Sequence, residues 1–316
     1  MIVGLHDAEK EHFKTKTFPN LALMKISAWH KAQEDMVEWW NPLYKYDRVY
    51  SSKVFDFTPT DSYLPEDAIR GGTGYRDVPM DQELPGEVDD MFPDYSIYPE
   101  CDYAVGYLTR GCPNRCRWCV VPEKEGTIRP YRKWQDVVRH DTDRLVLMDN
   151  NILACEYGIQ QLEGLIDSEY KIDLNQGMDA RLVDERIAKI LSRLRWIRFI
   201  RFSCDQESQI KPIRRAVELL GNYGVRPYRI FIYLLVTEDI EDAAERVEAL
   251  KGYRAINLYA QAERNERLGI MPNEIQLEFQ QRYIYGGSYR KETWKQYCVR
   301  KQLKSEGVKN EYTGSL

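Results

Sequence analysis

The stretch Tyr103-Ala104-Val105-Gly106-Tyr107-Leu108-Thr109 runs directly into Arg110-Gly111-Cys112-Pro113-Asn114-Arg115-Cys116-Arg117-Trp118-Cys119. The first part is a short apolar run that predicts a buried strand, and the second is a polar loop that cannot continue it. Three of the seven cysteines crowd into this loop, while Cys101, Cys155, Cys204 and Cys298 are scattered. A strand followed by a chemistry-bearing loop is the unit from which α/β folds build their sites.

Downstream the unit repeats. Apolar runs at residues 103–109, 144–148, 171–174, 196–203, 228–235 and 255–259 predict six strands. Helical spacing at 133–141, 157–167, 183–194, 210–223 and 240–250 predicts five helices between them. Strands alternating with helices require parallel pairing and right-handed crossovers. Six units are too few for a complete eight-unit barrel, so the expected fold is α/β with an open or partly closed barrel.

Upstream, residues 2–5, 36–40 and 47–55 predict strands around a helix at 19–32, which is half of a doubly wound, Rossmann-like α/β unit. Residues 56–100 then carry six prolines, the turn Gly71-Gly72-Thr73-Gly74, and twelve acidic side chains against two arginines. That composition predicts irregular chain on the surface with short elements inside it. The expected organisation is a small α/β unit with an acidic connector (1–100), the βα repeat (101–262) and a C-terminal extension (263–316). The extension from Asn273 is expected to be helical or mixed, and is rich in rings: Tyr283, Tyr285, Tyr289, Trp294 and Tyr297.

A net charge of −5 argues against a protein that coats nucleic acid, because phosphate binding needs clustered cations. Residues 282–309 do carry eight Lys or Arg against two Glu. Such a run is read as a solvated helix face or as a patch for an anionic substrate. The first residues do not have the pattern of a secretory leader and no run approaches a membrane span, so a cytoplasmic protein with reduced thiols is expected.

In a reducing compartment, three thiols in one loop pose a metal question. Thiolates are the standard ligands of iron–sulfur clusters, and three rather than four leave one iron open to a small molecule. The Cys-x3-Cys-x2-Cys spacing after the first strand resembles the signature of the radical S-adenosylmethionine (SAM) superfamily, over roughly residues 103–261. The resemblance implies a partial (β/α)6 barrel and a 4Fe–4S cluster on Cys112, Cys116 and Cys119. It further implies SAM chelated at the free iron and cleaved to a 5′-deoxyadenosyl radical, with electrons from a donor such as flavodoxin or ferredoxin. The competing reading is a non-catalytic binding module stabilised by zinc, with His140 or Cys101 as fourth ligand. Zinc knuckles space their ligands as two close pairs, and there is no second pair here.

The same resemblance implies further SAM contacts. Trp118 matches the aromatic residue near the adenine. Asp149, Asn150 and Asn151 stand where the family's backbone binds the SAM amino group, although an Asx turn with a helix cap reads equally well. Arg181 matches a ligand of the SAM carboxylate, with Gln176 and Asp179 expected to face the same cavity. Ser203 and Asp205 fall in a variant of a Gly-x-Glu-Ser-Gly segment, without its glycines. Tyr233, Tyr259 and Gln261 are candidates for a substrate cavity. The N-terminal unit resembles a cobalamin-binding domain, but lacks the Asp-x-His-x-x-Gly motif, so a degenerate domain without cobalamin is expected. The substrate is left open between a nucleic acid or nucleotide, toward which the basic aromatic tail leans, and a peptide or small metabolite.

Overall fold

The computed structural model describes residues 1–13, 18–265, 268–284 and 291–301. The chain divides into two compact units. One comprises Met1–Gln176, Leu194–Ile197 and Asn265–Ile270; the other comprises Gly177–Arg193, Arg198–Arg264 and the residues from Met271 onward. It is an α/β protein built on parallel sheets.

The first unit opens with β1 (Ile2–Asp7), α1 (Ala8–Phe13), α2 (Leu21–Ala32), β2 (Met36–Trp39), β3 (Arg48–Ser52) and β4 (Ile69–Gly71). These strands pair in parallel in the order β2-β1-β3-β4. The Asn20 side chain accepts a hydrogen bond from the Leu23 amide and so starts α2 after Pro19. Leu23, Met24 and Ile26 then pack on Val3 and Leu5 of β1, and Val88, Ile97 and Tyr98 of the acidic connector join the same core. The connector is therefore irregular but not detached. Its one α-helical turn, α3 (Gly86–Asp89), is held by buried Lys25, whose Nζ donates to the Asp89 backbone carbonyl and carboxylate.

The βα repeat begins in the same unit with β5 (Ala104–Gly106), β6 (Thr109–Arg110), α4 (Val121–Lys124), β7 (Arg129–Pro130), β8 (Arg144–Leu147), α5 (Glu156–Leu165) and β9 (Lys171–Leu174). The order β5-β8-β9 is parallel, and β6 and β7 form a small antiparallel ribbon around the cysteine loop. The helix expected at 133–141 is absent: one 3-10 turn at Trp134–Asp136 replaces it. Tertiary anchors override the helical pattern there. The Trp134 amide donates to Gln161, and Arg139 donates to the carbonyls of Cys101 and Tyr103.

The second unit contains α6 (Glu185–Arg193), β10 (Ile200–Ser203), α7 (Ile210–Asn222), β11 (Ile230–Val236), α8 (Ile240–Lys251), β12 (Asn257–Ala262), α9 (Glu274–Ile284) and α10 (Trp294–Arg300). Its sheet, β10-β11-β12, is parallel. Along β11, Ile230, Ile232, Leu234 and Val236 are buried, whereas Phe231, Tyr233 and Leu235 are half-buried. One face is thus core and the other carries rings: Phe231, Tyr233 and Tyr259 meet there. In the extension, Phe279, Tyr283, Trp294 and Tyr297 are buried and pack on one another. These tail rings are core, not free stacking faces. Tyr285 and Tyr289 lie outside the described residues, as does part of the basic run at 282–309. Among the described residues no helix is long and apolar enough to cross a membrane.

Candidate active site

Asp149, at the end of β8, fixes where the cysteine loop starts. Its buried carboxylate accepts from the amides of Leu108 (3.1 Å) and Thr109 (2.5 Å) and from the Thr109 hydroxyl (2.7 Å). Burial pushes its pKa up to about 6, and those donors oppose the rise. Thr109 opens β6, so the carboxylate clamps the strand from which the loop departs.

The loop itself is cradled by Glu125, which is buried. Its Oε2 accepts from the Gly111 amide (2.9 Å) and from Asn150 Nδ2 (2.8 Å), and its Oε1 pairs with Arg110 (3.0 Å). The Cys112 amide donates to the Gly126 carbonyl (3.2 Å), and the Cys119 amide closes a turn on the Cys116 carbonyl (3.0 Å). Gly111 makes this possible. Its φ of +82° is in the left-handed region, and a Cβ there would lie 2.4 Å from the Thr127 carbonyl oxygen. In the sequence Glu125 is marked by nothing more than an acid–glycine pair a few residues past the last cysteine.

Of the sequence-derived candidates, this unit brings together Cys112, Asp149, Asn150 and Asn151. Asn151 is buried, and its Nδ2 lies 3.6 Å from the Cys112 Sγ, while its Oδ1 has no hydrogen-bond partner among the described residues. Asp149 is engaged by the loop's own backbone and Asn150 donates its Nδ2 to Glu125, whereas Asn151 Oδ1 is a buried acceptor without a donor among the described residues. Cys112, Cys116 and Trp118 are half-buried and Cys119 is exposed. All seven cysteines are thiols, not disulfides. Gln176 is exposed after β9.

The other candidates belong to the second unit. Arg181 forms a two-pronged pair with Asp179, through Nε (2.8 Å) and Nη2 (2.6 Å). The Ser203 amide donates to the Met178 carbonyl (3.2 Å), and Gly177 lies so close to Ser203 that a Cβ would stand 3.0 Å from its amide. Asp205 follows β10, and burial raises its carboxyl to about 6, with Arg246 opposing the rise and Asp179 adding to it. The strand end thus gathers Asp179, Arg181, Ser203 and Asp205 in one unit.

The proposed fourth zinc ligands fare differently. His140 is exposed, and the Cys101 thiol donates to the Tyr103 carbonyl (3.3 Å). Among the described residues, the one group of three donors close enough to share a single ion does not include the loop cysteines. A four-iron cube places each thiolate on a different iron, so its ligands need not converge that tightly.

No protein-family model matches the chain, and no curated protein is similar enough to count as a relative.

Proposed function

We propose that this chain is a radical SAM enzyme in which Cys112, Cys116 and Cys119 hold a 4Fe–4S cluster and the protein residues around them receive SAM. The observation that carries the reading is the Asn151–Cys112 contact. A buried amide donates toward one thiol and keeps an unpartnered oxygen beside the loop, and a buried acceptor without a donor asks for a ligand. The donor set fits the cofactor: three thiols on one loop, less than fully buried, with their backbone tied down by Glu125 and Gly126. When bound, the cluster supplies the electron that splits the S–C5′ bond of SAM, giving the 5′-deoxyadenosyl radical that takes hydrogen from a substrate.

The chain's own residues have separate tasks. Glu125 and Asp149 hold the loop's geometry. Asn151 Oδ1 would accept from the SAM amino group, and Trp118 would offer its ring to the adenine. On this reading Gln176, in the same unit as the loop, would add a SAM contact; Arg181, Ser203 and Asp205 belong to the second unit, where Arg181 pairs with Asp179. The reading carries with it the partial (β/α)6 barrel that the six-strand pattern implies, and an electron donor of flavodoxin or ferredoxin type. It leaves the substrate open.

Anaerobic reconstitution with iron and sulfide tests the proposal. Broad visible absorption, and 5′-deoxyadenosine formed from SAM and a reductant, are expected; Cys112→Ala, Cys116→Ala or Cys119→Ala should remove both. A colourless protein that instead retains one zinc on the loop would overturn it.

A further inference from the structure

A second constellation lies in the N-terminal sheet. His6 is the penultimate residue of β1, Glu11 is on α1, and Asp61 is in the connector, and their ligand atoms lie within 4.8 Å of one another. The His6 ring is buried, with Glu11 half-exposed and Asp61 about a quarter exposed. His6 Nε2 is 3.2 Å from Glu11 Oε2 and 3.9 Å from Asp61 Oδ2. Two donors about 2.1 Å from one ion can stand at most about 4.2 Å apart, so both separations are compatible with a shared cation.

The surroundings orient these donors from outside the group. His6 Nδ1 is 2.7 Å from the Ser51 hydroxyl, which in turn is 2.5 Å from the Tyr75 hydroxyl. Asp61 Oδ1 accepts from the Tyr63 amide (2.8 Å), which leaves Oδ2 toward the ring. A ligating histidine whose other nitrogen is held by a buried hydrogen bond is the usual outer-shell arrangement. If Nδ1 carries the proton, the Nε2 lone pair faces two carboxylates and three acceptors converge on one point. If Nε2 carries it, one N–H serves two carboxylates. Among the described residues no lysine or arginine pairs with Glu11 or Asp61, whereas a dication would satisfy all three donors.

The place in the fold agrees with this. The parallel order β2-β1-β3-β4 reverses direction between β1 and β3, and His6 and Ser51 are neighbours across that pair near its carboxyl end. Ligand crevices of open α/β sheets lie at that point. The exposed sides of Glu11 and Asp61 leave an entry path.

We propose that His6, Glu11 and Asp61 form a binding site for one divalent first-row metal ion, separate from the cysteine loop. A nitrogen and two carboxylate ligands leave coordination positions open to water or to an oxygen ligand. Calorimetric titration of the full-length chain with Zn2+ tests it. Any zinc taken up elsewhere in the chain is common to every variant, so the readout is the difference in stoichiometry. Wild type should bind one equivalent more than His6→Ala and Glu11→Gln. Ser51→Ala should keep that equivalent but weaken it about 10- to 100-fold. Glu11 is half-exposed, so Glu11→Gln decides the matter even if His6→Ala does not fold. Equal zinc stoichiometry in wild type and Glu11→Gln would overturn the proposal.

Discussion

Asn151 shows how much one side chain can decide. Its Nδ2 lies 3.6 Å from the Cys112 Sγ, and hydrogen bonds to cluster sulfurs raise the reduction potential by spreading thiolate charge. In the reconstituted protein, Asn151→Leu keeps the side-chain volume and removes the donor. The midpoint potential should fall, on the order of tens of millivolts. Potentiometry followed by electron paramagnetic resonance checks this. A cluster that assembles with an unchanged potential would refute the assigned role without touching the cluster assignment. At this scale the placement of three cysteines on one loop and of the Asp149–Asn151 triplet after a strand was readable in the sequence, because the apolar runs that precede them mark where strands end. The division of labour inside the triplet was not. That Asp149 clamps Leu108 and Thr109, and that Glu125 is the partner of Asn150, depends on a packing of segments dozens of residues apart.

Single elements were readable where their own periodicity governs them, and unreadable where other segments do. Helices α7 and α8 follow their apolar spacing closely, because each buries one face, and strand β9 matches its short run with Ile172, Asp173 and Leu174 all buried. The expected helix at 133–141 fails because Trp134 and Arg139 are claimed by Gln161 and by the carbonyls near β5. Helix α8 shows the opposite case, an element tied down by one polar side chain. Arg246 is fully buried, and its guanidinium donates to the carbonyls of Cys204 (2.5 Å) and Leu235 (2.7 Å) and to Asp242 within the helix. Arg246→Met would fill the space but leave two carbonyls and a carboxylate without their donor. The expected cost is about 3 kcal/mol, near the lower end for breaking a buried pair because Asp242 is partly exposed. Urea denaturation followed by circular dichroism measures it. A loss below about 0.5 kcal/mol, the range of ordinary surface changes, would mean that apolar packing alone holds α8.

At the scale of the whole molecule, the parallel α/β class was readable from the alternation of periods, while the pairing of strands into separate sheets was not, since strand order is set by packing that no single segment encodes. Charge behaves in the same distributed way and gives a stability profile with a definite sign. Asp149 and Asp205 both have folded-state pKa values raised by burial to about 6, above the ordinary carboxyl value of 3.8. A raised carboxyl favours folding when protonated, so its contribution is fully present below the unfolded value and is lost as pH rises through about 6. Asp94 runs the other way. Hydrogen bonds from Lys31, Ser27 and Ser96 outweigh its burial and hold it down to about 2, so its contribution is present above 3.8 and is lost as pH falls toward 2. The three together place the stability maximum on the acid side of neutrality, roughly between pH 4 and 6. The urea midpoint should therefore be higher at pH 5 than at pH 8, and should fall steeply below about pH 3.5. The double substitution Asp149→Asn and Asp205→Asn should flatten the slope between pH 5 and 8 while leaving the acid limb in place. A wild-type midpoint that rises steadily from pH 5 to 8 would show that both carboxylates stay ionised in the fold, held by the donors around Thr109 and by Arg246 more strongly than burial opposes them.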